Sequence, residues 1–334
     1  MRVWQISSFG IDSLELVERP TPQPGPGEVL VKVHAVSLNY RDLMMVKGFY
    51  NPKMKLPRVP CSDGAGEVEA VGQGVTQWKR GDRVCGIFMQ NWIEGPPTPE
   101  KIKGALGGDI DGMLAEYVVL KETGLVRIPE HLGFEEAATL PCAGVTAWNA
   151  LMAGDVRQGT TVLMQGTGGV SIFALQFAKL KSARVLGISS SDAKLQRACS
   201  LGLDEALDYG ETSEWDKWVV EKTGGAGVDV VVEVGGVGTL PRSLRAVKMG
   251  GTIAQIGVLS GPAEQIPVPM ILHKQVHIRG IYVGSRENFE EMNAAISAAN
   301  LKPVYESHTW TEAQKAFEEM EGATHFGKLV LKVG

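Results

Sequence analysis

Thr161-Val162-Leu163-Met164-Gln165-Gly166-Thr167-Gly168-Gly169-Val170-Ser171 carries more topological information than any other part of this chain. Residues 161–165 are a short apolar run, and the turn after them opens a helical stretch that reaches about Lys181. Gly166, Gly168 and Ser171 have the G-x-G-x-x-G spacing, with Ser in place of the third glycine. In that pattern the first glycine permits a tight turn. The second lets backbone approach a pyrophosphate, and a small third residue lets the helix pack on its strand. Free N–H groups at the helix start, together with the helix dipole, favour phosphate there. Gly166, Thr167, Gly168, Gly169 and Val170 are therefore candidate cofactor-binding residues.

Working outward from this turn, strands and helices alternate. RVLGIS (184–189) is the next strand, and SDAKLQRACSLG (191–202) is a helix. VDVVVEVGG (228–236) and GTIAQIGVLSG (251–261) are further strands. Continuous β-branched runs mark strands buried on both faces, and strand–helix alternation builds a doubly wound parallel sheet, an α/β fold. The end of the second strand discriminates between nicotinamide cofactors, because NAD sites place Asp or Glu there to hold the ribose 2′-hydroxyl. Here the strand runs into Ser189, Ser190 and Ser191, with Asp192 expected as the helix N-cap and Lys194 in the first turn. Hydroxyls and one cation suit a 2′-phosphate, so NADP (NADPH) is the expected cofactor. The competing reading is that these residues only cap a helix.

Residues 1 to about 122 follow another pattern. Val-rich runs recur at 28–36, 64–72, 82–88 and 114–120, separated by glycine-rich turns such as Pro24-Gly25-Pro26-Gly27. Short strands with such turns suggest a β-rich, partly closed barrel. Residues 91–111 read as a long Pro/Gly-rich loop. The tail supplies an amphipathic helix (312–320) and a last strand, GKLVLKV.

Composition agrees with two domains: 334 residues are about twice a typical single-domain length. The net charge of −5 argues against nucleic acid as a partner, since phosphate binding needs clustered Lys and Arg. Glycine is in excess, 41 residues against a usual ~7%, as expected for many tight turns. The start MRVWQISSFG lacks a signal-peptide pattern, and no apolar run reaches the ~18 residues of a membrane helix. Cys61, Cys85, Cys142 and Cys199 form no CxxC pair, so free thiols and a cytoplasmic location are expected.

With these features in place, the whole chain resembles the medium-chain dehydrogenase/reductase superfamily. PGPGEVLVKVHAVSLNYRD, VPCSDGAGEVEAVG, GDRV, AATLPCAGVTAWNAL, GTGGVS and VVEVGGVGT carry the match. The resemblance implies a GroES-like catalytic domain from residues 1–123 and 289–334 around a Rossmann dinucleotide-binding domain, 124–288. The family's catalytic zinc has Cys, His and Cys ligands. Those positions match Asn39, Ser62 and Cys142, and the loop 91–111 lacks the cysteines of a structural-zinc lobe. A zinc-free protein with no metal site is therefore expected. His273 and His277 have a helical ligand spacing, but His277 lies in a strand-like stretch.

In zinc-free form the chain is similar to the quinone oxidoreductase and enoyl reductase branch, which carries N-x-x-D followed by G-x-Y. The counterparts are Asn39, Asp42 and Gly48-Phe49-Tyr50. That branch adds hydride to an already polarised acceptor, a conjugated C=C bond or a quinone. Tyr50 is the candidate proton donor, being a phenol with an ordinary pKa near ~10, and Asn39 and Tyr40 are its polar neighbours. Tyr50 reads equally as a loop aromatic lining the cleft. The resemblance also implies cofactor contacts at Thr146, Tyr209, Gly257, Val258, Leu259, Tyr282, Val283 and Lys328. It implies a homodimer joined along a sheet edge supplied by QIPVPMIL (265–272), and a small-molecule substrate. Two alternatives stay open: an alcohol dehydrogenase or carbonyl reductase working without the usual metal, and a non-catalytic NADPH-binding protein.

Overall fold

The structure, a computed structural model, describes residues 1–257 and 266–334. The chain divides into two compact units, residues 1–145 with 283–334, and residues 146–282.

The first unit begins with the hairpin β1 (Arg2–Ile6) and β2 (Leu14–Glu18). β3 (Glu28–Leu38), α1 (Tyr40–Val46), β4 (Asp63–Val71), β5 (Arg83–Gly86), β6 (Tyr117–Lys121), β7 (Leu125–Arg127) and α2 (Phe134–Ala138) follow. A π-helical turn, Leu140–Gly144, leads into α3 (Val145–Ala153), which belongs to the second unit from Thr146 on. After the second unit come α9 (Arg286–Ala299), β14 (Tyr305–Thr309), α10 (Ala313–Glu321) and β15 (Lys328–Lys332). Seven strands form one sheet in the order β14-β15-β3-β4-β5-β7, with β6 also on β3. Its pairs are antiparallel except β14 with β15. β3 is the spine because its residues are buried almost continuously, which lets it serve three partner strands. Pairing of β7 with β5 carries this unit past residue 123. The core gathers Val29, Val31, Val36, Leu38, Val68, Leu114, Phe317 and Leu329.

The second unit contains β8 (Thr161–Gln165), α4 (Gly169–Leu180), β9 (Arg184–Ser189), α5 (Asp192–Ser200) and β10 (Glu205–Asp208). α6 (Trp215–Lys222), β11 (Val228–Glu233), α7 (Leu240–Ala246), β12 (Val247–Gln255), α8 (Val268–Lys274) and β13 (His277–Gly280) complete it. All six strands run parallel in the order β10-β9-β8-β11-β12-β13. Val162, Leu163, Met164, Val230, Val231 and Val232 are fully buried, as two-sided coverage requires. The strand order reverses between β8 and β11, and open α/β sheets bind ligands at the carboxyl ends beside such a switch point.

Two local expectations change. Ser191, not Asp192, is the N-cap of α5: its backbone is extended and its hydroxyl accepts the Lys194 N–H, while Asp192 takes the first helical position. The expected edge segment 265–272 contributes no strand among its described residues. Val268–Lys274 is helical, with proline in the first turn, where its missing N–H costs nothing. The sheet edge is β13.

Candidate active site

The dinucleotide turn is built by local geometry. Gly166 has φ +68°, a left-handed conformation that favours glycine, and its N–H donates to Ile188 O at 2.7 Å. A Cβ added at Gly166 or Gly168 would meet nothing within 4 Å, so the outer face of the turn is open. α4 starts at Gly169 with no side-chain cap, which leaves its first N–H groups to a ligand. Ser171 is buried and anchors the helix by donating to Gln165 O at 2.6 Å. Thr167 is buried, whereas Gly169 and Val170 are half-buried. These features fit a pyrophosphate group.

Around the end of β9, Ser189 is buried, Ser190 is exposed, and Ser191 and Lys194 are half-buried. The Tyr209 N–H donates to Ser189 O at 2.9 Å, which brings Tyr209 beside the serines with its ring exposed. Thr146 is buried at the second position of α3. Gly257 follows β12, and a Cβ there would lie 1.7 Å from Val234 O, so this close crossing requires glycine. Tyr282 is exposed just past β13, and Val283 has φ +57°, strained for a β-branched residue. Val258 and Leu259 lie outside the described residues.

The first unit holds a buried polar cluster. Asn39 caps α1, its N–H donating to Asp42 Oδ2 at 2.9 Å. Its amide is used at both ends: Oδ1 accepts from Lys328 Nζ at 2.5 Å, and Nδ2 donates to Ser62 Oγ at 3.4 Å. Lys328, only 3% exposed, also donates to Leu38 O. Ser62 donates to Asp63 Oδ1 at 2.7 Å, and Asp63 Oδ2 accepts the Cys142 N–H at 3.0 Å from the π-helical turn. One chain of hydrogen bonds thus ties Lys328, Asn39, Ser62, Asp63 and the Cys142 backbone together. Burial pushes the Asp63 carboxyl up to about 6 against the pull of the Lys328 ammonium, and Asp42 adds to the rise. Burial also raises the Asp42 carboxyl, opposed by Arg41. The Cys142 and Cys61 thiols are pushed up by burial, then by neighbouring carboxylates. Cys61 has φ +68°, a conformation a non-glycine residue adopts at a cost of order 1–3 kcal/mol, and it leads directly into Ser62.

Tyr50 and Tyr40 are 44% and 39% exposed. The Arg41 guanidinium lies 5.7 Å from the Tyr50 ring centroid and 4.9 Å from that of Phe88. It donates to Leu106 O at 2.6 Å, fastening the 91–111 loop to α1.

Residues 25–130 match the alcohol dehydrogenase GroES-like domain family, and residues 169–298 match the zinc-binding dehydrogenase family. A zinc-type alcohol dehydrogenase-like protein of Schizosaccharomyces pombe is 43% identical, over 97% of this chain and 96% of its own length. This chain belongs to the medium-chain dehydrogenase/reductase superfamily. It is thereby an α/β oxidoreductase with a GroES-like domain. A second medium-chain relative, the acryloyl-coenzyme A reductase of Metallosphaera sedula, is 31% identical over 95% of this chain and 96% of its own. The crystal structure of an NAD-dependent alcohol dehydrogenase superposes with a TM-score of 0.92 at 35% identity, covering both chains completely.

The family's zinc does not fit the donors present. An amide and a hydroxyl stand at two of the three ligand positions, and the amide oxygen is taken by an ammonium. Among the described residues no three His, Cys, Asp or Glu side chains converge to hold a metal ion. His273 ends α8 and His277 opens β13, so they do not share a helix. Asp63 and the inward-turned Lys328 are the residues that sequence reasoning underused. Asp63 was signalled only by its place two residues after a cysteine, and Lys328 by the family resemblance, as a cofactor contact.

Proposed function

We propose that this protein is an NADPH-dependent reductase that transfers hydride to an activated C=C bond or a quinone without zinc. The observation that carries the reading is the hydrogen-bond chain from Lys328 to Asp63, which occupies Asn39 and Ser62 with partners other than a metal. An acceptor already polarised by conjugation needs no Lewis acid. When bound, the nicotinamide supplies the hydride.

The protein's own residues would hold the reactants and manage the proton. The N–H groups of the 166–171 turn bind the pyrophosphate. Ser190, Ser191, Lys194 and Tyr209 would hold a ribose 2′-phosphate, and no Asp or Glu closes β9 to claim a 2′-hydroxyl. Thr146, Gly257 and Tyr282 would hold the nicotinamide. Tyr50 donates the proton that completes the saturated product, and the Arg41 guanidinium lies 5.7 Å from its ring centroid. The kinship with an acryloyl-coenzyme A reductase, whose name describes reduction of a conjugated C=C bond, supports this acceptor class.

Carbonyl reduction is the second reading, favoured by the dehydrogenase named in the S. pombe relative and by the retained Cys142. NADPH oxidation by an α,β-unsaturated aldehyde after exhaustive dialysis against a chelator separates the two. Undiminished turnover is expected. Turnover lost on chelation and restored by zinc would overturn the zinc-free reading.

A homodimer is proposed along the second unit's sheet edge. β13 is exposed along its whole length, and nearby α8 presents Val268 and Leu272, 65% and 73% exposed. No helix among the described residues is long and apolar enough to cross a membrane. Four free thiols suit the reducing cytoplasm.

A further inference from the structure

Glu233 ends β11 with its side chain fully buried. Five donors converge on its carboxylate. Oε1 accepts the N–H groups of Gly235 and Gly236, both at 3.0 Å, and the Thr239 hydroxyl. Oε2 accepts Gln165 Nε2 at 2.8 Å and the Ser243 hydroxyl. Among the described residues no Lys, Arg or His forms an ion pair with it. A buried carboxylate without a cation is costly unless hydrogen-bond donors replace its water, and here they do.

The donors come from three pieces of chain that meet at the switch point. Gln165 ends β8 and immediately precedes Gly166. Gly235, Gly236 and Thr239 form the turn after β11, and Ser243 lies on α7. Gln165 closes the arrangement from the other side, its Oε1 accepting the Gly235 N–H at 3.4 Å and its backbone oxygen accepting the Ser171 hydroxyl. The carboxylate therefore pins the dinucleotide turn to the turn that follows the adjacent strand. A core carboxylate whose only duty was stability would be replaceable by an apolar side chain of similar volume. This one shapes two ligand-facing turns at once, which an apolar side chain would leave unheld.

We propose that Glu233 is a positioning residue for the dinucleotide, acting through Gln165 and the 235–239 turn on the backbone that cradles the phosphates. It touches neither substrate nor cofactor. The inference rests on the placement of the dinucleotide at the 166–171 turn.

The test is NADPH binding followed by its fluorescence, together with the melting temperature and amide hydrogen exchange over residues 235–239. In Glu233→Gln the amide presents donors to one side of a ring of donors, and the two glycine N–H groups cannot reorient to accept them. Gln165→Met keeps the carboxylate and removes the Gln165 hydrogen bonds to Glu233, Ser243 and Gly235, with an apolar residue of similar volume. For each folded variant the NADPH dissociation constant is expected to rise about tenfold or more, with faster exchange at 235–239 in Glu233→Gln. Glu233→Asp, which keeps the carboxylate, is expected to recover part of the affinity. Dissociation constants within twofold of wild type in the folded variants would overturn the inference, even if the melting temperature falls. If Glu233→Gln does not fold, Gln165→Met decides alone. Failure of the wild-type protein to bind either NADPH or NADH would instead refute the cofactor assignment beneath it.

Discussion

Replacing Lys328 by Met removes the buried ammonium that holds Asn39 in place. Two acceptors lose their donor, Leu38 O and Asn39 Oδ1, and both lie in the interior of the first unit. Each orphaned buried acceptor costs ~1–3 kcal/mol. The same ammonium steadies the Asp42 and Asp63 carboxyls, both buried. Removing one partner from a buried charge group costs ~3–5 kcal/mol, and the two figures describe overlapping losses, so about 4 kcal/mol is expected. For a unit of about 200 residues, each kcal/mol moves the melting temperature by ~2–4 °C, giving a fall of ~8–16 °C. Differential scanning calorimetry of wild type and Lys328→Met, both at pH 7.5, measures it. Asn39, freed from its partner, also loses its fixed amide orientation, so turnover is expected to fall beyond what the unfolded fraction explains. A melting temperature within ~2 °C of wild type would refute the claim that this ammonium anchors the cluster.

Asp63 provides a pH test. Its carboxyl titrates near 6 when folded, above the ~3.9 of an exposed aspartate, so the folded state keeps a proton that the unfolded chain releases between these values. The stability this proton gives is full below pH ~4 and lost as pH rises through ~6. Asp63→Asn lacks the titration, so its urea midpoint should gain on wild type from pH 4.5 to 7.5. An unchanging difference would contradict the assignment. Lys194→Ala is expected to raise the KM for NADPH about tenfold or more and to leave that for NADH nearly unchanged, because one charge-assisted contact to phosphate is worth ~1.5–3 kcal/mol. Equal effects on both cofactors would remove Lys194 from the 2′-phosphate site. Tyr50→Phe should lower kcat ~100-fold or more while shifting stability by less than ~0.5 kcal/mol, since the ring is largely exposed. Unchanged turnover would remove Tyr50 as proton donor.

The parallel sheet was legible because its strands are continuous apolar runs and its first turn carries spaced glycines. β3, β4 and β5 were legible for the same reason, with turns between them. β14 was not: Tyr305–Thr309 reads YESHT, a polar pentapeptide that is extended through its pairing with β15. β7, only three residues long, depends on β5 in the same way. Residues 265–272 were expected to supply a sheet edge only through the family resemblance, but Pro269 lies in the first turn of a helix, where it is tolerated. The site divides similarly. The phosphate turn depends on neighbours in sequence and could be read from them. The chain from Lys328 to Asn39, Ser62 and Asp63 joins residues nearly 290 apart, and no local pattern announces it. Glu233 likewise lies inside the Val-rich run 228–236 with no local sign of its role, and only folding collects its five donors.

The most direct test of the proposed chemistry follows the hydride itself. The protein is supplied with NADPH deuterated at the transferred position and an α,β-unsaturated aldehyde, and the product is analysed by NMR. A saturated aldehyde with deuterium on the β-carbon is the predicted result. An allylic alcohol with deuterium on the carbinol carbon would contradict it.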